Sequence, residues 1–206
     1  TSSAAVPPPQ LSLGPHQLQV VHSTKLLGVM VDEQLNWKQH VNHLVRAASH
    51  AIYMLRRLRS LGMPGEELRG VYTTFILPKL MYASPAWSSS LTLTQRHQLE
   101  RVQKRAVRVI LGPEYDTYEN ALTTLGLQRL ATRHEEALRK FGEGLLHQFR
   151  HRNLLPADAP PPIRHTRQHN ILRPLRAPRT DRCHQSAIPT IAVSYTHLTL
   201  PTSGVV

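Results

Sequence analysis

Proline sets the outline of this chain before any other residue type does. Sixteen prolines lie unevenly along 206 residues. Each fixes φ and lacks a backbone donor, so each marks a place where a helix can begin but not readily continue. Pro64 is well placed in the first turn of a helix, Pro78 would bend or stop that helix, and Gly112-Pro113 closes another. From Pro156 onward, Pro160-Pro161-Pro162, Pro174, Pro178 and Pro189 are interspersed with arginines and few aromatic residues. That composition buries too little apolar surface to offset the entropy of ordering, and it predicts disorder.

Between these marks the hydrophobic period assigns the elements. From Gln10 to Val31, Leu11 and Leu13 alternate, as do Leu18 and Val20, and Leu26, Leu27, Val29 and Val31 follow, with breaks at Gly14-Pro15 and His22-Ser23. Two or three short antiparallel strands are expected. After Asp32 the period lengthens: Val41, Leu44, Val45, Ala48, Ile52 and Leu55 recur at three- and four-residue steps, predicting a helix from about Trp37 to Ser60 that Gly62 and Pro64 end. A second helix runs through Leu68, Val71, Tyr72 and Phe75, and a short helical or irregular piece reaches Trp87. Thr94 would cap a third helix carrying Leu99, Val102, Ala106, Val109 and Ile110, and Thr117 a brief one ending near Gly126. The last helix, roughly Leu127 to His151, carries Leu130, Ala137, Leu138, Phe141, Leu145 and Leu146, with Gly142 and Gly144 loosening its centre. The core should close near Leu155.

The expected fold is therefore mainly α: a small amino-terminal antiparallel β remnant, a bundle of about four to five helices, and a disordered Pro/Arg-rich tail. In segments this reads as a disordered start (1–9), β strands (10–36), a helical domain (37–155), a disordered basic tail (156–192) and a final stretch (193–206). No internal repeat of solenoid length is present.

Several chemistries are excluded or unsupported by residue type. A nucleotidyl-transfer centre needs acidic residues a few ångström apart, usually with a pair on a tight hairpin. Here the adjacent acidic pairs, Asp32-Glu33, Glu66-Glu67 and Glu135-Glu136, lie at helix entrances or on helices, where the helix dipole or solvation accounts for them. The single Cys183 forms no internal disulfide and supplies no cysteine-based zinc site. Thirteen histidines include His40 and His43 at a spacing two ligands of one site can have, but His-Glu-x-x-His and His-x-Asp are missing, so surface or nucleic-acid-facing imidazoles are the simpler reading. There is no Gly-x-Ser-x-Gly elbow and no glycine-rich phosphate loop. No cofactor and no small-molecule substrate are expected. No run is apolar enough to span a bilayer, and Thr1 to Pro9 lacks the regions of a secretory signal. An intracellular location, cytoplasmic or nuclear, fits best, and a start at Thr1 suggests an internal piece of a longer product.

Charge points to the partner. With 25 Lys and Arg against 13 Asp and Glu the formal charge is +12, which favours polyanions, nucleic acid first and anionic membrane second. Arg46 and Arg57 project opposite the apolar stripe of the first long helix, and no acidic residue stands between Glu33 and Glu66. Arg101, Lys104, Arg105 and Arg108 gather on one side of the third helix, with Glu100 the lone nearby acid. Such a row can track phosphates; a solvated helix face explains it equally well. Trp37, Trp87, Tyr82, Tyr115 and Tyr118 could stack on bases, but packing is the better reading for most, Tyr82 and Trp87 in particular.

The run Lys25-Leu26-Leu27-Gly28-Val29-Met30-Val31-Asp32, then Leu35-Asn36-Trp37 and His40-Val41, resembles a block of non-LTR retrotransposon reverse transcriptases of the jockey and related clades. Leu77-Pro78-Lys79-Leu80, Tyr82 to Trp87, Leu99 to Ala106 and Ile110-Leu111-Gly112 are similar to later segments of that family, and Arg179 to Arg182 and Ser186 to Pro189 to its post-thumb tail. The resemblance spans about Leu11 to Ile191. It implies that Lys25 to Val31 are the last palm strands, that the helices are the thumb that grips template and primer, and that the catalytic Tyr-x-Asp-Asp hairpin lies upstream. It makes the chain a non-enzymatic fragment of an RNA-directed DNA polymerase. Arg46, Arg57, Arg101, Lys104, Arg105 and Arg108 become candidates for contact with an RNA/DNA duplex or single-stranded nucleic acid. Lys25 to Arg59 also looks like a segment named after the amino terminus of an AlkB-related tRNA-modifying protein, though the iron ligands of a dioxygenase are missing. A protein-interaction module is the other alternative. Val193 to Thr202 departs from the family and resembles the conceptual translation of a transposase-based sequencing adapter, so no function is assigned after Ala192.

Overall fold

Two short hairpins lead into the helices. In this computed structural model, which describes residues 11–148, 150–155 and 186–196, β1 (Ser12–Leu13) pairs antiparallel with β2 (His16–Gln17), and β3 (Ser23–Leu26) with β4 (Val29–Asp32). The second hairpin turns on Leu27 and Gly28, both at positive φ (46° and 86°), the two-residue geometry whose twist suits its strands. Leu27, expected within a strand, is instead the turn's apex and 84% exposed. A leucine disfavours that conformation, and Tyr82 holds it there: the phenol donates to the Leu27 carbonyl at 2.7 Å. A Cβ on Gly28 would stand 3.2 Å from the same ring, so the turn needs glycine twice over. Asp32 then breaks the strand, its carboxylate accepting from the backbone N–H groups of Gln34 and Asn36 at 3.0 Å and of Trp37 at 3.2 Å.

The helical body follows the sequence period closely, with local departures. α1 (Lys38–Ser60) buries Val41, Leu44, Ala48, Ile52 and Leu55 on one stripe. α2 (Gly65–Val71) passes through a π-helical turn, Tyr72–Ile76, into α3 (Leu77–Met81). Pro78 therefore neither stops the helix nor sharply ends it: it stands in the first turn of α3, after the wider turn, where the Leu77 N–H reaches back to the Tyr72 carbonyl. The extra residue in that turn rotates the stripe, so Ile76 is buried and Phe75, expected inside, is 64% exposed. α4 (Ser84–Trp87) and a 3₁₀ turn, Ser88–Ser90, lead to α5 (Leu93–Leu111). Its cap is Thr92 rather than Thr94. Thr92 and Gln95 form a reciprocal capping box that satisfies two N–H groups, which Thr94 with His97 could not do. Thr117 caps α6 (Tyr118–Leu125) and Gly126 closes it, as expected. α7 (Leu130–His147) starts later and ends sooner than the sequence suggested, and runs unbroken through Gly142 and Gly144.

α1 and α5 form the centre of the bundle and run in the same direction. Gln95 at the start of α5 donates to the Asn36 carbonyl just before α1 at 2.8 Å, and Arg59 at the end of α1 donates to the carbonyls of Val109, Ile110 and Leu111 at the end of α5. One core extends from Val29 to Leu130. A smaller one joins Leu138 and Leu145 to Leu155 and to Ile191, so burial continues past Leu155, where the core was expected to close. Ile191 belongs to α8 (Ala187–Thr196), which corrects the expected disorder of residues 156–192 over its last part. Pro189 is tolerated there because first-turn N–H groups have no intrahelical partner in any case. The remaining expectations of disorder, at 1–9 and 156–185, lie outside the described residues, as does most of the adapter-like stretch. The molecule is thus mainly helical behind a small antiparallel β region.

Candidate nucleic-acid interface

α5 carries a polar network on its inner side and cations on its outer side. The buried Gln103 accepts from the Tyr72 hydroxyl at 2.6 Å and donates to the Tyr118 hydroxyl and the Gln128 carbonyl, each at 2.9 Å. Tyr118 donates in turn to Glu100, whose second oxygen accepts the Leu130 N–H at 3.1 Å. Burial pushes both phenols well above the ordinary tyrosine range, so they remain neutral donors. Glu100, the acid beside the basic row, is therefore committed inward, placing negative charge at the start of α7 where the helix dipole favours it.

Outward, Arg101, Arg105 and Arg108 are exposed and Lys104 is half-buried. The expected single row divides. The Lys104 ammonium sits 5.7 Å from the centroid of Tyr118 and the Arg108 guanidinium 5.0 Å from that of Tyr115, both leaning towards α6. Arg105 leans the other way and donates to Ser49 Oγ on α1 at 3.4 Å. That contact fixes which flank of α1 adjoins the row. Arg46, Ser49, Tyr53 and Arg56 follow at three- and four-residue steps and so share one stripe with Ser49. Arg46 thus lies on the flank of α1 that carries Ser49, and Arg57, a four-residue step from Tyr53, lies close to the line of Arg46. Arg56, exposed like Arg46, joins the face although charge counting passed over it; its three-residue step from Tyr53 was the available signal.

These cations differ from several other arginines among the described residues. Arg59 and Arg69 terminate α5 and α6 by donating to their last carbonyls. Arg129 pairs with Glu119 and Arg139 with Glu143. Arg46, Arg56, Arg57 and Arg101 have no such partner among the described residues. The α1–α5 face is therefore a surface of uncompensated positive charge on two helices whose packing holds it rigid.

The histidines read as possible surface or ligand groups include two core residues. His40 is buried, accepts the Met30 N–H on Nδ1 at 3.4 Å, and lies edge-on to Trp37 and Trp87, with centroids at 6.4 and 5.1 Å. Trp87 meets His134 in the same way at 5.1 Å, and His134 Nε2–H donates to the Leu80 carbonyl at 3.0 Å. Burial pushes His40 down to about 4, with the neighbouring His43 adding to the effect, and lowers His134 as well. His43 is exposed, so the two histidines of the i, i+3 pair face different media. Trp87 packs as expected. Tyr82 remains half in solvent but works as the strut under the Leu27 turn.

Among the described residues no group of three or more His, Cys, Asp or Glu is placed to hold a metal ion, and no helix is long and apolar enough to cross a membrane. Comparison of the chain with family models, with curated proteins and with solved structures finds no match. The surface itself must carry the functional argument.

Proposed function

We propose that this chain is a catalytically incomplete part of an RNA-directed DNA polymerase of the non-LTR retrotransposon kind, and that its own activity is to bind nucleic acid. The motif resemblance supplies the polymerase reading. The cations of Arg46, Arg56, Arg101 and Arg105, in no ion pair among the described residues and with Arg105 reaching from α5 to Ser49 of α1, carry the binding reading. Cations on a rigid face release counterions from a phosphate backbone when they engage it, so affinity should fall as salt rises. Reversing Arg101, Lys104, Arg105 and Arg108 to glutamate should abolish binding to an RNA/DNA duplex or to a single strand at low salt. Because Lys104 and Arg108 are shared with tyrosine rings, reversal of Arg46, Arg101 and Arg105 alone should account for most of the loss. Unchanged affinity in both variants contradicts the proposal.

One observation favours a second reading, a protein-docking role. Leu11, Leu18, Val20, Val21, Leu26 and Leu27 of the hairpin region are all exposed, a grouping of large apolar side chains that soluble surfaces avoid unless something covers them. Binding to another polypeptide that is indifferent to salt would support it.

A further inference from the structure

Among the cations of α1 stands one aromatic ring that packing does not explain. Tyr53 is 57% exposed in the middle of the longest described helix, with its hydroxyl in no hydrogen bond among the described residues. Its neighbours along the stripe are Arg46 and Ser49 on one side and Arg56 on the other, and Ser49 receives Arg105 from α5. The backbone beneath it is locked, since Ala48, Ile52 and Leu55 are fully buried. The ring is thus displayed at a fixed place between guanidinium groups that can hold phosphates on either side of it.

We infer that Tyr53 is a base-stacking platform and that the α1–α5 face binds single-stranded nucleic acid in preference to duplex. This rests on the nucleic-acid reading above and specifies its substrate. In a duplex both faces of an internal base are covered by its neighbours, so a side chain fixed on a helix meets only phosphate and groove edge. An unpaired base offers its π-face, and a flat ring flanked by cations satisfies base and backbone together. Arg46 to Arg56 spans about 15 Å along the helix axis, which seats a short run of nucleotides with the ring inside it. The remaining tyrosines near the face are already engaged: Tyr115 and Tyr118 lie under Arg108 and Lys104. Among the described residues Tyr53 is the free one near this face, and being exposed it can be replaced without disturbing the core.

The test uses the full chain, a fluorescent oligothymidylate, and a mixed-sequence duplex of the same length, titrated at low salt. Tyr53→Ala should weaken oligothymidylate binding about 5- to 150-fold, the range found when a stacking aromatic is removed, and leave duplex binding unchanged. Tyr53→Phe, which keeps the ring and loses the hydroxyl, should bind like the unmodified chain. Equal loss on both probes, or no loss on the single strand, overturns the inference while the salt-dependent binding of the unmodified chain stands. If the unmodified chain binds neither probe, this inference falls together with the reading it rests on.

Discussion

Gln103 and Arg105 stand two residues apart on α5 and are held by opposite means. Gln103 is fully buried and uses its amide oxygen once and its amide nitrogen twice within a network of Tyr72, Tyr118 and the Gln128 carbonyl. Arg105 is exposed and makes one long contact to Ser49. A buried polar group left without its partners costs its full desolvation, whereas an exposed cation is solvated whether or not it meets a protein partner. The inner side of α5 therefore owes its residues to stability. The outer side does not, and its charge is free to serve a ligand.

That contrast can be broken most forcefully from the inside. Leu99→Ala, at a position only 1% exposed, should cost about 2–5 kcal/mol in urea unfolding, while Arg105→Ala should stay within about 0.5 kcal/mol of the unmodified chain. Equal costs would erase the distinction between the two sides. Acid should reveal a second inner effect. His40 is held down at about 4 and His134 is also lowered, both by burial, so between the unfolded value near 6.5 and the folded value the unfolded chain binds more protons. Stability is then full above about pH 6.5, falls as the pH drops towards 4, and levels off below, by an amount on the order of 1–3 kcal/mol. Melting temperatures at several pH values test this, and a flat profile across that window contradicts it. Gln103→Met, which keeps the volume and removes the amide, should cost about 1–3 kcal/mol by leaving the buried Tyr72 hydroxyl without its acceptor. Smaller than these inner effects is Arg59→Ala, expected to lose about 1 kcal/mol as the last carbonyls of α5 lose their cation.

Which parts of this arrangement the sequence reveals follows from how local their causes are. The stripe of α1, the closing Gly126 of α6 and the cap at Thr117 depend on neighbours within a turn or two, and the period displays them. The cap of α5 was equally local: Thr92-Leu93-Thr94-Gln95 contains the Thr-x-x-Gln box, and only the presence of a second threonine obscured it. The burial of His40 between two tryptophans, the commitment of Arg59 and Arg69 to helix ends far along the chain, and the division of the α5 cations between Tyr115, Tyr118 and Ser49 are long-range facts. No spacing in the sequence encodes them. The π turn at Tyr72–Ile76 is intermediate, since Pro78 marks its neighbourhood but not how the helix accommodates it. α8 was hidden by its surroundings: Ala187, Ile188 and Ile191 form an apolar face, yet prolines on every side argued for a tail without structure.

The measurement that bears most directly on the whole account is the salt dependence of binding to a single-stranded oligonucleotide, for the unmodified chain and for the Arg46→Glu, Arg101→Glu, Arg105→Glu variant. The account predicts that the logarithm of affinity falls linearly with the logarithm of salt concentration, and that the variant loses both affinity and most of the slope, by about 0.7 for each phosphate contact removed. A slope near zero for the unmodified chain, or one that the three reversals leave unchanged, would mean that the outer face of α1 and α5 is ordinary solvated surface and that nucleic acid is not its partner.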